Sequence, residues 1–114
     1  MKIYSKKEKT TTPGFGYWGD FGEIEMGWSY GEITDNQNFV GEKLHYHTLG
    51  TIYFLGLGGS GVIEIEGKEI ILGKDLLLRI DPKEKYRVLK AKKIPFKYLA
   101  VCTSKDPKEK VVIE

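Results

Sequence analysis

Apolar and polar residues alternate along much of the chain with a period of two. In the segment 23–30, Ile24, Met26, Trp28 and Tyr30 alternate with glutamate, glycine and serine. Successive side chains of a β-strand point to opposite faces, so this alternation predicts a strand with one buried face. Sustained helical periodicity is absent, and the 14 glycines would interrupt most helices. The pattern therefore predicts an all-β protein.

Further short strands are predicted between turn signals. They cover residues 39–47, 51–57, 62–66, 68–72, 76–80, 86–89 and 96–103, with a possible edge strand at 111–113. The apolar run 51–57 favours a strand buried on both faces. Gly67 marks a hairpin, and the glycine-rich residues 58–61 predict a tight turn. Many short strands joined by glycine turns are typical of a sandwich or barrel.

The length of 114 residues corresponds to one domain, 1–114, with no internal boundary. Residues 1–22 form an N-terminal arm, whose later part is rich in threonine, glycine and aromatic residues. Such an arm can fold across the mouth of a barrel or contact a second subunit, and the sequence leaves both alternatives open.

Charge and cysteine content exclude several classes of protein. The net charge is only +2, with acidic residues interleaved among the lysines, which argues against a nucleic-acid partner. No apolar run is long enough to cross a membrane, and the charged N-terminus does not resemble a signal peptide. We therefore expect a cytoplasmic protein. Cys102 is the only cysteine, so an internal disulfide is impossible, and we expect a buried structural thiol there. Abundant lysine and glutamate with a single glutamine indicate a heat-adapted source.

The two histidines of the chain, His45 and His47, are the sharpest chemical feature. Residues i and i+2 of a strand share a face, so both imidazoles can present a ring nitrogen to one point. Such a pair suits a divalent metal. The pair is also compatible with hydrogen-bonded polar groups that hold no metal.

The surroundings of the histidines resemble the cupin family of jelly-roll β-barrels. The segment Gly-Glu-Lys-Leu-His-Tyr-His at 41–47 is followed by a Gly-Lys-Asp turn at 73–75 and by Asp81-Pro82. The order and spacing are similar to the two cupin motifs over residues 39–88. The resemblance implies a metal with four protein ligands, two of which match His45 and His47. The expected carboxylate and third histidine fall on Thr51 and Tyr86, so this sequence departs from the family at both.

Because only two of the four family positions match, the site has fewer candidate metal ligands than the family pattern. We expect His45, His47 and Tyr86 to hold a divalent ion of iron, manganese, nickel or zinc, completed by water or substrate. Tyr86 and Tyr53 are the candidate catalytic residues, because Tyr53 shares parity with Thr51 and so is expected in the same cavity. A phenol binds a metal only after its pKa, normally near 10, has been lowered by the ion.

Three functions are compatible with these residues. The first is a metal-assisted oxygenase or isomerase of small oxygenated substrates. The second is a metal-free enzyme that resembles the cupin sugar isomerases and epimerases. The third is a degenerate, non-catalytic ligand-binding module, so the sequence leaves enzymatic activity open. In each case the partner is a small polar molecule, and the family resemblance implies a homodimer.

Overall fold

The computed structural model describes residues 1–9, 14–19, 24–37, 39, 41–104 and 106–113. Within them lie nine strands and one single-turn 3-10 helix, and no helix is long or apolar enough to cross a membrane. The strands are β1 (Lys6–Glu8), β2 (Phe15–Trp18), β3 (Gly27–Ile33), β4 (His45–His47), β5 (Ile52–Ile65), β6 (Lys68–Gly73), β7 (Leu77–Ile80), β8 (Tyr86–Cys102) and β9 (Lys110–Val112). The 3-10 helix spans Pro107–Glu109.

Two long antiparallel strands, β5 and β8, organise the molecule. They pair from Ile52 opposite Cys102 to Ile65 opposite Tyr86, with register shifts between Gly56 and Ile63. Such irregularities bend strands and increase their twist, so the sheet curls into two halves. One half has the order β1-β2-β3-β8-β5-β7, and the other has β6-β5-β8-β4-β9. The predicted all-β, jelly-roll barrel is confirmed.

The bends correct two predicted strand boundaries. The strands predicted at 51–57 and 62–66 are one strand, β5, so residues 58–61 form a bend rather than a tight turn. The strands predicted at 86–89 and 96–103 are likewise one strand, β8. A Cβ atom on Gly61 would lie 2.1 Å from the Phe96 ring, so glycine is what lets the two bent strands approach here. The predicted hairpin at Gly67 joins β5 to β6, as expected.

The core fills the space between the two halves of the sheet. Its fully buried side chains include Ile33, Ile63, Val88 and Phe96. β5 buries only one face over its first half, because Ile52 is buried while Leu55 is half-buried. The expectation of burial on both faces is therefore wrong.

The N-terminal arm joins the same sheet as the rest of the chain. β1 pairs with β2 and β2 pairs with β3, both antiparallel. Residues 10–13 and 20–23 of the arm lie outside the described part. The strand predicted at 39–47 is described as a strand only over β4, which pairs with Tyr86 of β8 and with β9.

Candidate functional site

A cavity of about 270 Å³ opens beside the histidines. Buried residues on one side of it include His45, Phe54, Tyr86 and Tyr98. Half-buried aromatic residues of the arm and β3 line another part: Phe15, Tyr17, Trp18, Trp28 and Tyr30. The arm thus contributes side chains to the wall of the cavity in its own chain.

His47 is the centre of a chain of side-chain hydrogen bonds. Its Nε2 atom lies 2.9 Å from the Tyr86 hydroxyl, and its Nδ1 atom lies 2.6 Å from Oε2 of Glu109. β4 and β8 are neighbours in the sheet, with His45 opposite Tyr86. This pairing brings two residues 39 positions apart into direct contact.

Glu109 is held from several sides. It is only 3% exposed, and its Oε1 atom accepts a hydrogen bond of 2.6 Å from the Gly50 amide. Its backbone carbonyl accepts from the Thr48 amide. The 3-10 helix that presents it is capped by Asp106, whose carboxylate accepts from the Lys108 amide.

One arrangement of protons, with a neutral imidazole at His47, satisfies these contacts. A carboxylate can only accept, so Nδ1 of His47 donates to Glu109. In the neutral imidazole Nε2 is then the acceptor, and the Tyr86 hydroxyl donates to it. Tyr86 is 4% exposed, and burial, reinforced by the Glu42 carboxylate, raises its pKa well above the ordinary value. Tyr86 therefore stays a neutral phenol.

His45 is anchored in the same way as His47. Its Nδ1 atom lies 2.7 Å from the Lys43 carbonyl oxygen, which can only accept, so Nδ1 carries the proton. Burial lowers the pKa of His45, although the hydrogen bond to Lys43 opposes this shift. His45 is thus a neutral imidazole with a lone pair on Nε2.

The structure brings together three of the four candidate residues. The ring centroids of His45 and Tyr86 are 4.3 Å apart, and those of His47 and Tyr86 are 5.9 Å apart. Tyr53 is on the other face of β5 from Ile52 and Phe54, which line the cavity, and does not line it. The expectation that Tyr53 shares the cavity is therefore wrong. The parity prediction starts from the family position at Thr51, but Thr51 precedes β5, and in the first half of this strand the even-numbered residues Ile52 and Phe54 face inward.

Two acidic residues of the site are missed by the sequence reasoning. Glu109 lies 62 positions from His47, and no spacing rule connects them. Glu42 lines the cavity, and its Oε1 atom accepts from the Val88 amide. The sequence offers one indication of their role: each of these two glutamates lies within three residues of a predicted strand or of the histidine pair. The carboxylates that lie near the histidines thus come from positions other than Thr51, where the family pattern places one.

Several of these groups are capable of holding a metal ion. Ligand atoms of His47, Cys102 and Glu109 all lie within 4.8 Å of one another. The ion predicted on His45, His47 and Tyr86 stays a prediction. An ion on Nε2 of His47 would replace the Tyr86 hydroxyl, and the raised pKa of that phenol makes it a poor ligand.

Comparison with known proteins gives a match in structure but not in sequence. No protein-family model and no curated protein match the chain. A Pac13 variant from Streptomyces with uridine has a TM-score of 0.69 at 9% identity, over 97% of this chain and 85% of that one. Another Pac13 structure describes that protein as a nucleoside dehydratase.

Two further solved structures are similar. KdgF from Halomonas sp. has a TM-score of 0.68 at 9% identity, covering 94% of this chain and 90% of that one. A cupin protein from Bacteroides fragilis has a TM-score of 0.62 at 24% identity, covering 74% of this chain and 70% of that one. At these identities the likeness concerns the fold, and this chain has the fold of the cupin and double-stranded β-helix proteins.

Proposed function

We propose that the cavity binds a small polar molecule and that the Tyr86–His47–Glu109 chain exchanges a proton with it. The reaction class is an acid–base isomerisation, epimerisation or elimination. The observation that carries the proposal is the unbroken set of hydrogen bonds from Tyr86 through His47 to the buried Glu109 carboxylate.

The proton step balances within this chain. As the Tyr86 oxygen takes a proton from the ligand, its own proton passes to Nε2 of His47. The resulting imidazolium is stabilised by the Glu109 carboxylate, and the reverse transfer returns a proton to the ligand. The concerted transfer avoids a free phenolate, which the raised pKa of Tyr86 makes costly. The bare Nε2 atom of His45 can accept a hydrogen bond from a ligand hydroxyl.

A ligand screen tests this proposal. Uridine, which is present in a similar structure, and a panel of monosaccharides and small hydroxy acids serve as probes in thermal-shift and calorimetric titrations. We expect at least one probe class to bind the wild type. Tyr86→Phe should weaken that binding or abolish turnover, because it removes the hydroxyl that both contacts the ligand and leads to His47.

Tyr53→Phe is the matched control, since it removes the same atom from the other face of β5. It should behave like the wild type. Equal effects of the two variants on binding and turnover would contradict the proposal, and so would the absence of binding by every probe.

A second candidate function is a metal-assisted reaction, favoured by one specific observation. Both histidines have Nδ1 anchored by an oxygen acceptor, and metal-binding histidines commonly show this arrangement. An ion that displaced the Tyr86 hydroxyl from His47 would then have the Nε2 atoms of both histidines as ligands. Such an ion of iron, manganese, nickel or zinc would supply Lewis-acid chemistry.

Elemental analysis of protein purified without a metal-affinity tag tests this second function. Metal in the wild type and its loss in His45→Ala would support it. No metal after soaking with the four ions would exclude it.

A further inference from the structure

Cys102 carries a half-buried free thiol that the proposed proton chain does not use. Its Sγ atom lies 4.0 Å from Nδ1 of His47, on the same ring nitrogen that contacts Glu109. The thiol, the imidazole nitrogen and a carboxylate oxygen therefore converge on one point. Cys102 also lines the cavity, so the point is open to entry from there.

Gly50 keeps the space between the thiol and the carboxylate free. A Cβ atom at this position would lie 2.6 Å from Sγ of Cys102 and 2.8 Å from Oε1 of Glu109. Both distances are too short for ordinary contact, so any larger residue would push these two groups apart.

We propose that His47, Cys102 and Glu109 bind a thiophilic divalent cation of the zinc type through Nδ1, Sγ and a carboxylate oxygen. Imidazole, thiolate and carboxylate together are a ligand set that zinc uses in proteins. On binding, the His47 proton moves from Nδ1 to Nε2, which then donates to the Tyr86 oxygen, and the thiol proton passes to solvent. The thiolate and the carboxylate then balance the charge of the ion.

The distances require only small adjustments. Tetrahedral zinc with bonds of about 2.0–2.3 Å places its ligand atoms about 3.3–3.5 Å from one another. Sγ of Cys102 lies 4.0 Å from Nδ1 of His47, which is above that range. Oε2 of Glu109 lies 2.6 Å from the same nitrogen, which is below it. These two pairs change by less than about 1 Å, within the freedom of the side-chain torsions, and the third pair, Cys102 with Glu109, lies within 4.8 Å.

This site differs from a metal on the two Nε2 atoms. It lies on the Nδ1 side of His47, includes sulfur and leaves out His45. An ion there takes both atoms of the His47–Glu109 hydrogen bond. If the proposed function holds, the ion therefore breaks the proton chain and inhibits the reaction.

Titration with Co²⁺ or Cd²⁺ tests the site without any substrate. We expect a thiolate-to-metal charge-transfer absorption that saturates at one ion per chain. Cys102→Ser should lose this absorption, and Glu109→Gln should weaken the affinity by at least about tenfold. His45→Gln is the matched control and should retain both the band and the affinity.

The outcomes separate this inference from the proposed function. No thiolate band in the wild type, or a band whose midpoint is unchanged in Glu109→Gln, would overturn the metal site and leave the proton chain intact. Loss of the band in His45→Gln would indicate that the ion binds on the Nε2 side of His47. This result would also overturn the proposed metal site. Should Cys102→Ser fail to fold, His47→Gln provides the same test, because the site predicts a loss of affinity there too.

Discussion

At the residue scale, the site depends on which ring nitrogen of each histidine is anchored. The shared face of His45 and His47 could be predicted from strand parity, because i and i+2 positions must point the same way. Tyr86 could be predicted from the family spacing. Glu109 could not, because its contact with His47 depends on how the chain returns after β8, which no local pattern encodes.

The buried, neutral His45 makes stability depend on pH. Because its folded pKa is lowered by burial, the unfolded state binds the proton more readily, and stability falls as pH drops below the ordinary value of 6.5. We expect His45→Gln to show a smaller loss of unfolding free energy than the wild type between pH 6.5 and about 5. Urea denaturation across this range measures it, and parallel pH profiles for the two proteins would contradict the assignment.

Removal of the Glu109 carboxylate should destabilise the fold. Glu109→Ala leaves the buried Gly50 amide and Nδ1 of His47 without their partner, at a cost of about 1–3 kcal/mol for an unsatisfied buried group. Glu109→Gln retains an oxygen that can accept from Gly50 and should cost less. Denaturant unfolding at neutral pH compares them, and equal stabilities of all three proteins would argue against a structural role for the carboxylate.

At the element scale, β5 and β8 pair with each other along their whole length, with register shifts at the bend. The sequence predicts two strands in place of each, separated by the glycine-rich residues 58–61 and the lysine-rich residues 91–93, since glycine clusters ordinarily mark turns. In the structure these stretches pair with each other across the bend, as Ser60 does with Lys93. Local composition indicates that the backbone changes direction. It does not distinguish a turn that ends a strand from a bend across which the two strands stay paired.

Overpacking the bend should be costly. Gly61→Ala places a methyl group against the fully buried Phe96 ring, and such overpacking costs about 1–3 kcal/mol. Gly73→Ala is the control, because its nearest neighbour would be 4.0 Å away. Melting temperatures of the two variants measure this difference in stability. Equal melting temperatures would show that the bend relaxes freely.

At the scale of the whole molecule, the jelly-roll barrel was predictable because the order of its strands and turns agrees with one architecture. The face that each strand turns to the core was less predictable. Parity counted from Thr51 predicts Tyr53 in the cavity, whereas Ile52 and Phe54 face it. The arm supplies strands to its own sheet and aromatic side chains to the cavity wall.

The predicted homodimer is testable through the same arm. We expect light scattering to give the mass of two chains. A truncation lacking residues 1–20 should lower that mass if the arm forms the interface, and it also removes the cavity wall formed by Tyr17 and Trp18. A truncated protein with an unchanged dimer mass would exclude the arm as the interface, and a monomeric full-length chain would contradict the dimer itself.

The central claim is the proton chain through His47, and long-range ¹H–¹⁵N NMR of the imidazoles tests it most directly. The chain has only two histidines, so His45→Gln assigns the spectrum. At neutral pH we predict that His47 carries its proton on Nδ1, and that Tyr86→Phe shifts the Nε2 resonance while Tyr53→Phe does not. A proton on Nε2 of His47, or an Nε2 resonance indifferent to Tyr86→Phe, would contradict the account.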